Sequence, residues 1–149
     1  MRPLVGRASV DDLLAVTDER REFWGERDLS PLHHPMFVHE FGATSVVLRG
    51  QDGAILAYLL GFVTLEARVG YAHLVAVRAS RRREGLGRLL YETFESLARE
   101  RGARALKAYT RPENLTSIAF HRSIGMSATE VPDYSGPGEA RVVFWRDLA

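Results

Sequence analysis

The stretch from Val75 to Leu90, VAVRASRRREGLGRLL, concentrates the residues best able to do chemistry. It begins as an apolar strand, passes through a knot of arginines, turns on Gly85 and Gly87, and enters an amphipathic helix. The first N–H groups of a helix have no intrahelical partner, and the macrodipole places about +0.5 charge there. Such a terminus attracts anions. Glycine lets a ligand approach the backbone closely. Arg81, Arg82, Arg83 and Arg88 add charge-assisted donors suited to phosphate. The pattern is not a P-loop, because no Gly-Lys-Ser/Thr follows, and it lacks the third glycine of a dinucleotide fingerprint. On these residues alone, a solvated helix start and a nucleic-acid patch stay open beside a phosphate site. His33, His34 and His39 match no standard metal spacing, so they are expected to be loop and surface histidines, with no metal.

A strand and a helix must hold this stretch in place, and the flanking sequence supplies both. Residues 69–78 read as the strand that leads into it. From Glu84, the apolar set Leu86, Leu89, Leu90, Phe94, Leu97 and Ala98 marks one helix face, and Gly102 stops it. Upstream, residues 3–8 form a short strand candidate, and Ser9 caps a helix with Asp11 and Asp12 in its first turn. That helix carries Val10, Leu13, Leu14 and Val16, and extends toward Phe23 and Trp24. A loop over 25–35 leads to a second short helix over 35–41. Residues 44–49 and 54–65 form a hairpin about Gly50-Gln51-Asp52-Gly53. Downstream come a strand over 103–110, a helix capped by Asn114 and ended by Gly125, a strand over 126–131, a loop to Gly138 and a last strand over 141–146. The order β-α-α-β-β-β-α-β-α-β-β defines an α/β chain with a central mixed sheet flanked by helices.

The 149 residues suit one domain over 1–149, with ordinary apolar content and a net charge of +1. The chain as a whole is therefore no polyanion binder. Its basic character is local: five arginines against one Glu between Arg78 and Arg88. The absence of cysteine excludes a disulfide framework and a thiol nucleophile, and suits a reducing cytoplasm. The N-terminus lacks the apolar core of a signal peptide, and no run approaches the roughly 18 apolar residues of a membrane span. We expect a cytoplasmic protein without membrane or nucleic-acid partners.

Two motifs about thirty residues apart narrow the anion site. Arg82-Arg83-Glu84-Gly85-Leu86-Gly87 fits Arg-x-x-Gly-x-Gly between strand and helix. Asn114-Leu115-Thr116-Ser117-Ile118-Ala119-Phe120-His121-Arg122-Ser123-Ile124-Gly125-Met126 follows. Together they resemble the GNAT superfamily of acetyl-CoA-dependent N-acetyltransferases, whose strand order also matches nearly the whole chain. The resemblance implies that N–H groups from Arg83 to Arg88, within the segment Arg82, Arg83, Glu84, Gly85, Leu86, Gly87 and Arg88, cradle the pyrophosphate of acetyl-CoA. It implies that the exposed backbone of Val75, Ala76 and Val77 pairs with the pantetheine arm like an added strand. The Val75 N–H would polarise the acetyl carbonyl, and Asn114 and Ser117 would contact the arm. The family's common Tyr falls on His121, a feature of the branch resembling phosphinothricin acetyltransferases. An imidazole there can donate to a leaving thiolate. The family's aromatic after the last glycine is Met126 here.

An amine near pKa 10 must lose a proton before it attacks a thioester. In this family the base often lies on the strand before the Gly-rich turn. Alternation puts Tyr71, His73, Val75 and Val77 on one face, so His73 is the first candidate base and Tyr71 the second. The resulting expectation is an N-acetyltransferase acting on a primary amine, most readily that of a small molecule, by direct attack in a ternary complex, with room for a homodimer. A CoA-binding module without turnover and a protein or peptide acetyltransferase are the alternatives.

Overall fold

The computed structural model describes residues 2–149. Seven strands form one sheet: β1 (Leu4–Arg7), β2 (Val46–Arg49), β3 (Ile55–Val63), β4 (Val69–Val77), β5 (Ala105–Thr110), β6 (Ser127–Val131) and β7 (Arg141–Asp147). Their order across the sheet is β1-β2-β3-β4-β5-β7-β6. Every pairing is antiparallel except β4 with β5. The parallel pair is joined by the crossover helix α4 (Leu86–Glu100), as parallel strands require. The remaining helices are α1 (Val10–Asp18), α2 (Arg20–Trp24), α3 (Met36–His39) and α5 (Leu115–Ser123). The mixed sheet flanked by helices, and the succession of its strands along the chain, agree with those read from the sequence.

The first helix departs from expectation. It breaks at Glu19 into α1 and α2, and three short helices replace the two expected before β2. At the break Thr17 turns its hydroxyl back onto the Leu13 carbonyl at 2.9 Å, a contact that competes with regular helix. The Glu19 carboxylate meets Arg78 at the end of β4, with oxygens 3.0 and 3.1 Å from its guanidinium. That bidentate pair anchors the α1–α2 corner beside the arginine-rich turn. The start of α1 follows the sequence: Ser9 and Asp12 form a reciprocal capping box.

The sheet separates two apolar cores. On one face, α4 presents Leu86, Leu90, Tyr91, Phe94 and Ala98 to β2, β3, β4 and β5. On the other, α1 to α3 close over Val47, Tyr58, Leu60 and Ala76 with Leu13, Val16, Phe23, Trp24 and Phe37. Phe94 is fully buried, and it lies against Gly61 and Gly70 of the sheet. A Cβ at Gly61 would stand 2.7 Å from the Phe94 ring and 2.8 Å from the Tyr71 carbonyl. Absent side chains there let helix and sheet approach, and each buried leucine or phenylalanine contributes about 1.5–3 kcal/mol.

Candidate active site

The strands β4 and β5 begin together and then part. They pair only at Val69–Ala105, Gly70–Leu106 and Tyr71–Lys107, although β4 continues to Val77 and β5 to Thr110. Beyond Tyr71, β4 has a partner only on its β3 side. The Arg78 N–H donates to the Leu56 carbonyl at 2.8 Å, which sets the phase of that ladder. In the same register, Ala76 with Tyr58 and Leu74 with Leu60 are hydrogen-bonded pairs, whereas Val75 and Val77 are not. The N–H and C=O groups of Val75 and Val77 therefore turn toward the gap. Ala76 differs from its two neighbours: its backbone serves β3, and its side chain joins the α1–α3 core.

A β-bulge re-aims the strand at this point. Leu60 opposes Leu74 but Gly61 opposes Ala72, so β4 carries one extra residue at His73. The expected face sharing of Tyr71, His73, Val75 and Val77 is thereby overturned. Ala72, Val75 and Val77 pack toward the α4 core. The Tyr71 ring stacks on Phe62 and the His73 ring on Phe37, on the opposite face. Strict alternation cannot cross an inserted residue.

The gap opens into a cleft of about 360 Å³. His73, Val75, Ala76, Tyr91, Ala108, Tyr109, Asn114, Ser117 and His121 line it from the sheet, α4, and α5 with its cap. Phe23 lines it from α2, and Arg27, Leu29 and Leu32 from the segment that follows. Tyr71 does not line the cleft. Burial, reinforced by Tyr109 and Tyr134, raises its phenol well above the ordinary range, so it stays protonated at neutral pH. His73 does line the cleft. Its Nε2–H donates to the Leu32 carbonyl at 2.9 Å, which leaves Nδ1 with the lone pair. Burial lowers its pKa, so the ring is neutral at pH 7 and able to accept a proton.

At the far end of β4 the arginine-rich turn has the features of an anion cradle. No side chain caps α4, and its first turn holds no acidic residue. The helix begins after Gly85, which sits at φ 78° with nothing within 4 Å of a would-be Cβ. Arg83 also adopts a positive φ, 69°. Gly87 has another reason for being glycine: a Cβ would meet the Phe120 ring of α5 at 2.9 Å. The arginines are unequal. Arg81 is held by both oxygens of Glu84, and Arg88 donates to the Ser123 carbonyl at 3.1 Å. Arg82 makes only a long contact with the Val77 carbonyl, at 3.4 Å. Leu86 turns its side chain into the core and offers only its backbone.

The start of α5 is held in place before any ligand arrives. Asn114 Oδ1 accepts from the Ser117 N–H at 3.2 Å, and its Nδ2 donates to Thr110 Oγ1 at 3.0 Å. Asn114 thus caps the helix and ties it to β5. His121 is only 6% exposed, and its ring stacks on Phe144 with centroids 3.9 Å apart. Its Nδ1–H donates to the Ser117 carbonyl at 2.7 Å, and its Nε2 accepts from the Tyr91 hydroxyl at 2.8 Å. Burial lowers its pKa, so the ring is neutral with both nitrogens engaged. Tyr91, which sequence reasoning missed, is buried beside the α4 apolar stripe, and nothing local marks its hydroxyl as the partner of His121. His33 is a further correction: it is buried, with Nδ1 bonded to the Leu29 carbonyl and Nε2 to the Tyr58 hydroxyl. His34 and His39 are exposed, and no metal-holding group of three occurs among the described residues.

The acetyltransferase (GNAT) family model matches residues 13–126. The chain belongs to the GNAT acetyltransferase family. It is an acyltransferase whose co-substrate is acetyl-CoA. Ard1 from Thermoplasma volcanium is similar at 20% identity with a TM-score of 0.81, over 100% of this chain and 99% of that one. The ribosomal-protein-S18-alanine N-acetyltransferase from Escherichia coli is similar at 20% identity with a TM-score of 0.72, over 99% and 94%. The phosphinothricin acetyltransferase from Sinorhizobium meliloti, solved with acetyl-CoA, is similar at 18% identity with a TM-score of 0.75, over 100% and 90%. No curated protein matches significantly in sequence. Among the described residues, no helix is long and apolar enough to cross a membrane. The residues fit acetyl-CoA: an uncapped helix start lies at one end of an open strand edge, and a cleft at the other.

Proposed function

We propose that the protein transfers the acetyl group of acetyl-CoA to the primary amine of a small molecule, by direct attack in a ternary complex. The observation that carries this reading is the free backbone edge at Val75 and Val77, which opens onto a cleft walled by the segment after α2. In it the free N–H groups at the start of α4, with Arg82, Arg83 and Arg88, hold the pyrophosphate. The edge of β4 takes the pantetheine arm as an added strand, and the Val75 N–H faces the acetyl oxygen. Asn114 and Ser117 shape the wall along the arm. The neutral His73 ring takes the proton of the incoming amine at Nδ1. The Tyr91–His121 pair meets the leaving sulfur: the Tyr91 hydroxyl turns from His121 Nε2 toward the thiolate. The chain has no cysteine, which leaves no route through a cysteinyl acyl-enzyme.

The cover over the cleft favours a small acceptor. Trp24 Nε1–H donates to the Tyr58 hydroxyl at 2.7 Å, and the same oxygen meets His33 Nε2 at 2.7 Å. This buried chain fastens the segment from α2 to His33 down on β3, so the wall of the cleft is held in place. The test is a calorimetric titration with acetyl-CoA, followed by a CoA-release assay over small amines and peptides with free N-termini. Binding followed by transfer to small amines is the expected result. Binding without transfer to any amine would leave a CoA-binding module, and faster transfer to peptides would make this a peptide acetyltransferase.

A further inference from the structure

The cleft carries positive charge with no acidic side chain among its lining residues to receive an ammonium group. Three arginines line the cleft: Arg27 after α2, Arg111 at the end of β5, and Arg141 at the start of β7. Among the described residues, no aspartate or glutamate lines it. Arg141 is already engaged, by Glu139 at 3.3 Å and the Ala140 carbonyl at 2.8 Å. Arg27 and Arg111 are exposed and enter no ion pair among the described residues. None of the arginines from Arg81 to Arg88 lines this cleft, so the phosphate end of the molecule has its own cations.

Both free arginines sit on anchored backbone. Arg27 lies between Trp24 and His33, the two residues bonded to the buried Tyr58 hydroxyl. Arg111 precedes Pro112, and its carbonyl accepts from the Asn114 N–H at 3.1 Å. Between them the wall is apolar, from Phe23, Leu29 and Leu32, with Tyr109 facing it. A purely cationic amine entering here meets like charge and no counter-charge, which selects against it. An amine that also bears an oxyanion meets two guanidinium groups suited to planar or tetrahedral oxygens.

We infer that the acceptor is a small primary amine that also carries an oxyanion, either carboxylate or phosphonate, held by Arg27 and Arg111. The inference rests on the acetyltransferase reading, and it names the class of acceptor. The amine reaches the floor at His73 and Val75 while the anion stays among the arginines.

The test compares α-amino acids and aminoalkylphosphonates with their amides and with the amines lacking the acid group, by CoA release. The acidic members should exceed their neutral partners in kcat/KM by about tenfold or more for the preferred side chain. Comparing carboxylates with phosphonates distinguishes the two oxyanions. Arg27→Gln and Arg111→Gln should each shrink that ratio toward one while leaving the acetyl-CoA Kd unchanged. Neutral amides or amines used as well as their acids would overturn the inference. If no probe is acetylated, the same probes are titrated calorimetrically into the CoA-loaded protein. Preferential binding of the acids that Arg111→Gln abolishes would keep the oxyanion site and discard the acetyltransferase reading. Absence of any preference would discard the site.

Discussion

In the proposed reaction, His73 is the residue on which proton transfer turns. Its Nε2 is committed to Leu32, its ring leans on Phe37, and only Nδ1 is free to act. Because burial lowers its pKa below the imidazole value of about 6.5, the basic form persists as pH falls and is lost only below that value. We expect the acid limb of kcat to lie below about pH 6.5. His73→Gln keeps a donor for the Leu32 carbonyl but removes the base. It should lower kcat at pH 7.5 by about 10²–10⁴-fold, with recovery as rising pH deprotonates the bound amine directly. An unchanged kcat–pH profile in the variant would falsify the assignment. None of this geometry was legible in the sequence. Alternation along a strand points to His73, yet the bulge puts it on the face opposite Val75. Tyr91 carries no local signal either, because a helix stripe records which side is buried and not where a hydroxyl points.

Among the elements, α4 and the turn before it were the most legible. An arginine-rich strand end, two glycines and an apolar stripe specify a crossover helix with an open N-terminus. The glycines, however, have different duties. Gly85 supplies a left-handed turn in open space, and Gly87 makes room for Phe120. Gly85→Asp adds negative charge at the proposed pyrophosphate site and should weaken acetyl-CoA binding by about 100-fold or more by calorimetry. Gly85→Ala carries only the backbone strain, about 1–2 kcal/mol, and should bind far better than the Asp variant. Equal affinities for the two would remove the anion argument. In β3, Gly61→Ala has no such freedom, because both Phe94 and the Tyr71 backbone stand in the way. We expect a loss of about 1–3 kcal/mol in urea unfolding. The break at Glu19 and the covering segment after α2 were not legible, because they depend on Arg78 and Tyr58, distant in the chain.

At the scale of the whole molecule, three imidazoles, two of them buried and His73 half-buried, share one tendency. His33, His73 and His121 are each shifted down by burial. The unfolded chain therefore binds protons more readily than the folded one, and stability falls as pH drops through the folded values. Melting temperature should hold near pH 7–8 and decline progressively below about 6.5, the unfolded imidazole value. A melting temperature flat down to pH 5 would contradict the buried, neutral state of these rings. Two of the three belong to hydrogen-bonded chains that fix the cleft: Tyr58 with His33, and Tyr91 with His121. Acid should thus loosen the walls of the site along with the fold.

The parting of β4 from β5 leaves a row of main-chain amides in the middle of a sheet with no strand beside them. Their solvent exchange should alternate residue by residue. Leu74 and Ala76 are locked into β3, and their deuterium uptake should be slow with or without ligand. Val75 and Val77 should exchange quickly in the free protein and slow sharply once acetyl-CoA is bound. Loss of this two-guarded, two-open pattern on four successive residues when acetyl-CoA is added would report where the co-substrate lies without any measurement of turnover.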